Sequence, residues 1–286
     1  MDKRIAWLDT IRTIAILFVV IFHLIFEINP DESLRVYGFI GISLFFISSG
    51  YALAKFYPSV IDFDIKWFLQ RLISICPIYY LTLFTLFSLN TVSILDLFLH
   101  FIFINPLISG YEYTIISPAW FLTPLMFFYF MFPYFNRFLQ NSNFFLLCIL
   151  ISLFVRINEG GWASISPLFF LCDFVFGMIQ SKKYSNEWIL IFAIFLLNPI
   201  MILPYFIFKF VAQINLNLGF FGLIGKHSLE IFLFHESLMK ILLGKMTIYG
   251  LDRIWSFIVL IILFIIIAII SDKLKKKIFE KIFSKY

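Results

Sequence analysis

The chain has 286 residues and a formal net charge of +5; 62% of its residues are hydrophobic, 21% aromatic and only 14% charged, and its mean hydropathy is +0.98. Soluble domains carry about 25% charged residues, so this composition excludes an ordinary soluble protein. The basic balance does not indicate nucleic-acid binding, because Lys and Arg are spread over short segments between apolar runs, a pattern typical of contact with anionic lipid.

Apolar runs long enough to cross a hydrocarbon core of ~30 Å recur along the whole chain. We predict an all-α, polytopic transmembrane helix bundle with about ten spans, forming one domain over residues 1–286. In chain order, the approximate spans are 5–26, 37–56, 66–88, 94–109, 119–138, 144–157, 165–181, 188–211, 218–243 and 254–272. The fourth is short and the eighth contains Asn198, Pro199 and Pro204, so one of these two could be re-entrant.

Charges near the two ends predict the orientation of the bundle. Lys3 and Arg4 precede the first span, and a basic cluster follows the last one at Lys273, Lys275, Lys276 and Lys277. The positive-inside tendency therefore predicts cytoplasmic termini and an even number of spans. We interpret the start of the chain as a retained span rather than a cleaved signal peptide, because Asp9 and Arg12 interrupt it and no small-residue cleavage site follows.

The first span holds three ionisable residues, which cost at least ~2.5 kcal/mol each at the centre of a membrane helix and so indicate a cavity or a partner. Asp9 and Arg12 are i,i+3 neighbours that can pair. His23 lies eleven residues after Arg12. At 100° per residue, eleven steps return to within ~20° of the same face and rise ~16 Å along the axis. Arg12 and His23 are therefore predicted to lie on one stripe at two depths.

This stripe suits a long ligand with an anionic head and a reactive tip, because Arg offers a permanent fork of donors and His titrates near neutral pH. Acyl-CoA has this shape. Its phosphates would stay near Arg12, and its thioester would lie near His23, which could act as a general base for an attacking hydroxyl. Alternatively, Asp9 and Arg12 anchor the helix at the interface and His23 bonds a neighbouring helix. The spacing alone leaves both interpretations open.

Five motifs resemble, in order, those of the bacterial integral-membrane acyltransferases called acyltransferase family 3. The opening signature of that family is matched by LDTIRTIAILFVVIFH, which contains Arg12 and His23. Its second-span FF-x-x-SGY element is matched by GISLFFISSGYAL, and its Arg-rich start of the third span by FLQRLISICPIYY, with Arg71 in place. Looser matches are PAWFLTPLMFFYFMFP and HSLEIFLFHESL. One departure is Ser74, which stands where many members have a second Arg.

The resemblance implies an O-acyltransferase of the bacterial cytoplasmic membrane that moves a short acyl group, with acetyl expected, to a surface or lipid-linked polysaccharide. The donor would be acetyl-CoA or another acyl-CoA, without a metal. His23 and Arg12 would be the catalytic residues, and Arg12 and Arg71 would bind the phosphates of the donor. Arg71 could instead be a positive-inside anchor of the third span. Carboxylates of some members are replaced here by Leu125 and Met126.

Four further residues are candidates for binding substrate, and each has a structural alternative. Ser49 could contact substrate or, together with Gly50, allow close packing of helices. Trp120 and Tyr129 could stack on a sugar or belong to the aromatic belt at the membrane interface. His235, followed by Glu236, could orient the acceptor or form an interhelical hydrogen bond.

Two other interpretations of the chain involve no chemistry. It could be a transporter of a glycan or an acyl group, or a scaffold in a polysaccharide-synthesis complex. The Arg12 and His23 pattern favours chemistry.

His100, four residues after Asp96, predicts a local i,i+4 pair, and His227 could be interfacial. Because the four His are dispersed and the three Cys are isolated in apolar segments, no metal site or disulfide is predicted.

Overall fold

The computed structural model describes residues 5–28, 30–89, 92–139, 142–159, 165–182 and 198–249, together with residues 191, 193, 194, 196, 255, 258–267, 269, 270 and 273. Within these ranges every regular element is a helix. The α-helices are α1 (Ala6–Ile28), α2 (Arg35–Phe56), α3 (Ile65–Leu89), α4 (Ile94–Phe101), α5 (Leu122–Phe138), α6 (Ser142–Glu159), α7 (Leu171–Lys182), α8 (Leu203–Gln213), α9 (Gly222–Lys226), α10 (Ser228–Tyr249) and α11 (Ile258–Ile267). Short 3-10 turns lie at Glu32–Leu34, Asn105–Leu107, Ser117–Phe121, Pro167–Phe170, Pro199–Ile202 and Gly219–Phe221.

Three of the described helical stretches are long and apolar enough to cross a membrane. They are Ala6–Phe26, Arg35–Phe56 and Ile65–Ser88. They coincide with the first three predicted spans, so the all-helical membrane class is confirmed. The total of about ten crossings and the cytoplasmic termini stay predictions. Most of the residues on which the orientation depends, namely Lys3, Arg4, Lys275, Lys276 and Lys277, lie outside the described residues.

The predicted span at 94–109 is wrong as a single crossing helix. α4 has only eight residues, a length of ~12 Å against the ~30 Å that a crossing needs. It begins with a capping box between Ser93 and Asp96. It ends at Phe101, and Phe103 then takes a positive φ of 60° before a 3-10 turn that contains Pro106. Apolar composition alone does not reveal these breaks.

Two glycines set the central crossing of the bundle, where α2 packs against α7. A Cβ added at Gly50 would lie 2.0 Å from the carbonyl oxygen of Phe174, and one at Gly177 would lie 2.0 Å from that of Ile47. The backbone of each helix therefore occupies the space that a side chain on the other helix would need. Small residues allow such a close approach of membrane helices. The close packing predicted for Ser49 and Gly50 in α2 is confirmed at Gly50.

A buried ion pair ties α6 and α7 to the neighbouring helices. The Arg156 Nη2 lies 2.7 Å from Asp173 Oδ2, and the two side chains are only 1% and 0% exposed. Asp173 also accepts hydrogen bonds from Ser43 in α2, at 3.2 Å, and from Tyr205 in α8. The guanidinium of Arg156 packs over the ring of Phe39, 5.5 Å from its centroid. Four helices are thus held around one carboxylate, because a buried charge must be paired.

Candidate active site

α1 places Arg12 and His23 at two separate cavities. The helix is continuous from Ala6 to Ile28, so the stripe predicted from the spacing is present on one element. Arg12 lines a cavity of about 260 Å³ and His23 lines another of about 330 Å³. The helical rise separates the two residues by ~16 Å along the axis.

The Arg12 cavity brings three of the predicted site residues together. Arg12, Ser49 and Tyr129 all line it, from α1, α2 and α5. Arg12 also keeps the predicted contact with Asp9, whose Oδ1 lies 3.7 Å from Arg12 Nη1. Ser49 is therefore in the Arg12 cavity, whereas the imidazole of His23 opens into the other one. This position disfavours Ser49 as a nucleophile activated by His23.

Arg71 lies close to the Arg12 cavity and is held by an aromatic partner. Its Nη2 donates a hydrogen bond to the hydroxyl of Tyr57 at 2.7 Å, and its guanidinium lies 4.6 Å from the centroid of that ring. Arg71 and Arg12 both act electrostatically on Tyr129. Ser74, one turn after Arg71 in α3, lines the cavity itself. An Arg at position 74 would therefore add a charge to this same cavity.

Lys226 is a cation of the Arg12 cavity that the sequence did not identify. The short helix α9 packs against the start of α1, where the Gly225 N–H donates to Thr13 Oγ1 at 3.0 Å. A Cβ at Gly225 would lie 1.8 Å from the carbonyl oxygen of Asp9, so this contact requires glycine. Lys226 follows immediately and lines the cavity, together with Glu230 from α10.

The His23 cavity combines an imidazole, a carboxylate and an indole. His23, Trp120 and Glu236 line it from α1, the Ser117–Phe121 turn and α10. The Glu236 Oε1 accepts a hydrogen bond from Lys240 Nζ at 2.8 Å, and Glu236 acts electrostatically on His23. Arg35, at the first position of α2, lines the same cavity. Trp120 thus lies where it could stack on a sugar beside His23. Tyr129 lines the Arg12 cavity instead.

The ring of His235 packs against the ring of His23. The two rings have centroids 5.0 Å apart, and His235 is fully buried. Its Nδ1 lies 2.7 Å from the carbonyl oxygen of Phe232, which can only accept, so Nδ1 carries the proton. Among the described residues its Nε2 has no hydrogen-bond partner. His235 therefore contacts the candidate base and is placed to hold its ring orientation.

The other two histidines have structural partners. His100 Nε2 accepts from the Ile115 N–H at 3.3 Å, and its Nδ1 lies 3.2 Å from the hydroxyl of Tyr79. Burial lowers the pKa of His100 to about 4, against the raising effect of Asp96. His227 pairs with Glu230, with 3.3 Å between Nδ1 and Oε1, and its side chain is buried. Neither geometry supports a catalytic role.

Comparison with known proteins bears on the family of the chain. Residues 5–162 match the acyltransferase family 3 model, described as "Acyltransferase domain". The chain is also 28% identical over 203 residues to a protein of Acidianus two-tailed virus that carries the name "Putative acetyltransferase ORF330". This similarity covers 65% of the chain and 59% of the viral protein, so the chain spans less than two thirds of that relative. No solved structure matches the chain. Because the family model covers more than half of the sequence and includes both Arg12 and His23, the protein belongs to acyltransferase family 3.

Proposed function

We propose that this protein is an acyltransferase that moves a short acyl group, with acetyl expected, from cytoplasmic acyl-CoA to a hydroxyl of a surface or lipid-linked polysaccharide at the bacterial cytoplasmic membrane. The observation that carries the proposal is the pair of cavities along α1. One is bordered by cations at Arg12 and Lys226, and the other holds the imidazole of His23 beside the carboxylate of Glu236.

The Arg12 cavity is suited to the phosphates of the donor. Arg12 and Lys226 line it, and Arg71 lies one turn before its wall at Ser74. A guanidinium can bind a phosphate through two parallel hydrogen bonds, and an ammonium adds a point charge. The acyl end of the donor would extend along α1 towards His23, a distance of ~16 Å set by the helix.

The His23 cavity is suited to the acyl transfer itself. His23 would take the proton of the acceptor hydroxyl as its oxygen attacks the thioester carbonyl. The carbon–sulfur bond then breaks, and the CoA thiolate leaves with the proton that His23 has taken. Glu236 would stabilise the imidazolium that forms in between, because its negative charge faces the same cavity. Trp120 would provide a flat face for the sugar ring.

The decisive experiment measures acylation per folded molecule in detergent, with labelled acetyl-CoA and glycan from a strain that lacks the gene. We expect the parent to label the glycan. We expect His23→Gln to bind acetyl-CoA through Arg12 but to leave the glycan unlabelled, because an amide cannot take the proton. Loss of such a base costs ~10²- to 10⁴-fold in rate. If His23→Gln labelled the glycan at the parent rate, His23 would not be the base and the assignment would be wrong.

The control is Lys66→Gln, a change at an exposed residue near the start of α3 that lines neither cavity. It should acylate at the parent rate. Mass spectrometry of the labelled glycan then identifies the acceptor hydroxyl. If the protein were a transporter without chemistry, neither the parent nor His23→Gln nor Lys66→Gln would consume acyl-CoA.

A further inference from the structure

A cluster of three aromatic rings stands between the two cavities. Phe45 in α2, Phe121 in the turn before α5, and Phe232 in α10 form this cluster. Their ring centroids are 5.9 Å apart for Phe45 and Phe121, 5.9 Å for Phe45 and Phe232, and 5.1 Å for Phe121 and Phe232. All three side chains are buried. The rings therefore form a closed triangle contributed by three different parts of the chain.

Phe232 is the member of the triangle that lines both cavities. Phe45 and Phe121 line the Arg12 cavity only, whereas Phe232 also lines the His23 cavity. Its position follows from helix geometry. Ser228 lies one turn before it and lines the first cavity, and Glu236 lies one turn after it and lines the second. One face of α10 thus runs from the cation site to the imidazole site, with the ring of Phe232 between them.

We propose that the ring of Phe232 seals the Arg12 cavity from the His23 cavity until the acyl arm of the donor displaces it. Because of this seal, the acceptor hydroxyl, rather than water, receives the acyl group. The reaction part of this inference rests on the proposed function, because an acyl arm anchored near Arg12 must pass this ring to reach His23. Exclusion of water is the usual protection of a reactive thioester against hydrolysis.

Loss of the ring would join the two cavities and permit hydrolysis of the thioester as a side reaction. The oxygen of water bonds to the acyl carbon while His23 takes one of its protons. The carbon–sulfur bond breaks, and the thiolate takes that proton, so the products are a free carboxylic acid and CoA. The same joined space would also give protons a path from one cavity to the other. This second consequence does not depend on acyl chemistry.

The first test measures thiol release from acetyl-CoA by purified protein without any glycan. We expect Phe232→Ala to raise this hydrolysis on the order of tenfold over the parent, while the double variant with His23→Gln returns to the parent rate. Phe232→Leu serves as a second variant that keeps more of the buried volume, and it should raise hydrolysis less. Phe206→Ala, which removes a ring of α8 that is 45% exposed and lines neither cavity, is the matched control.

The second test uses proteoliposomes that enclose a pH-sensitive dye. Phe232→Ala should collapse an imposed pH gradient faster than the parent or Phe206→Ala. If the parent acylates no glycan but Phe232→Ala still leaks protons, the proposed function fails and the seal stands. If folded Phe232→Ala and Phe232→Leu neither hydrolyse acetyl-CoA nor leak above the parent, the seal is overturned even though the acyltransferase assignment holds.

Discussion

Replacing Asp173 by Ala should destabilise the protein strongly, because it removes the carboxylate that neutralises Arg156. The pair is 2.7 Å apart and both side chains are buried. Removal of one partner from a buried ion pair costs ~3–5 kcal/mol, since the other charge stays buried without compensation. The hydroxyls of Ser43 and Tyr205 lose their acceptor as well, which adds to the cost. We therefore expect a loss at the upper end of this range.

The chain offers a matched control with the same chemistry and a different burial. Arg137 and Asp62 lie 2.9 Å apart, but their side chains are 57% and 72% exposed. Exposed pairs contribute only ~0–1 kcal/mol. Asp62→Ala should therefore change the thermal unfolding midpoint little, whereas Asp173→Ala should lower it clearly. Tryptophan fluorescence during heating in detergent measures both.

A double variant separates loss of charge from loss of packing. Arg156→Met with Asp173→Leu removes both charges, and such apolar replacement is often neutral or stabilising. We expect the double variant to be more stable than Asp173→Ala alone. If the free energies of unfolding of Asp173→Ala and Asp62→Ala differed by less than about 1 kcal/mol, burial of the pair would not be the dominant effect and our account of this network would be wrong.

Three more predictions concern separate parts of the molecule. Lys226→Ala should weaken acetyl-CoA binding, and Ser74→Arg in the same chain should restore part of it, because both positions line the Arg12 cavity; equilibrium binding in detergent measures this. Gly50→Ala should force α2 and α7 apart and lower the unfolding midpoint, whereas Gly222→Ala, where an added Cβ has room, should not. The lowered pKa of His100 means that the unfolded chain binds more protons between pH ~6.5 and ~4, so stability should fall as the pH drops through that window. His100→Gln should remove this part of the pH dependence.

Local signals were sufficient for the features that depend on one helix. The step of eleven residues from Arg12 to His23 was enough to predict their common face, because α1 is a regular helix. The first three spans were recognisable because their apolar runs are long and contain few charged residues. The family motifs also located Arg71 correctly at the start of a span, although not its hydrogen bond to Tyr57.

Contacts between distant segments were not predictable in this way. Lys226 reaches the Arg12 cavity only because Gly225 lets α9 approach Asp9 closely, which no spacing in the chain encodes. Arg156 and Asp173 did leave a signal, since two consecutive predicted spans each contain one charge of opposite sign. Such a pair within the membrane predicts a partnership.

The assignment of donor and acceptor to two different cavities has a kinetic consequence. A donor in the Arg12 cavity and an acceptor in the His23 cavity would not compete for space, so both could be bound at once before any bond breaks. We therefore expect steady-state double-reciprocal plots that intersect rather than run parallel, which would indicate a ternary complex instead of an acylated enzyme intermediate. Free CoA should compete with acetyl-CoA, yet leave the binding of the acceptor unaffected. A donor analogue that cannot react would then hold the enzyme in a state to which successive acceptors could still be bound and exchanged.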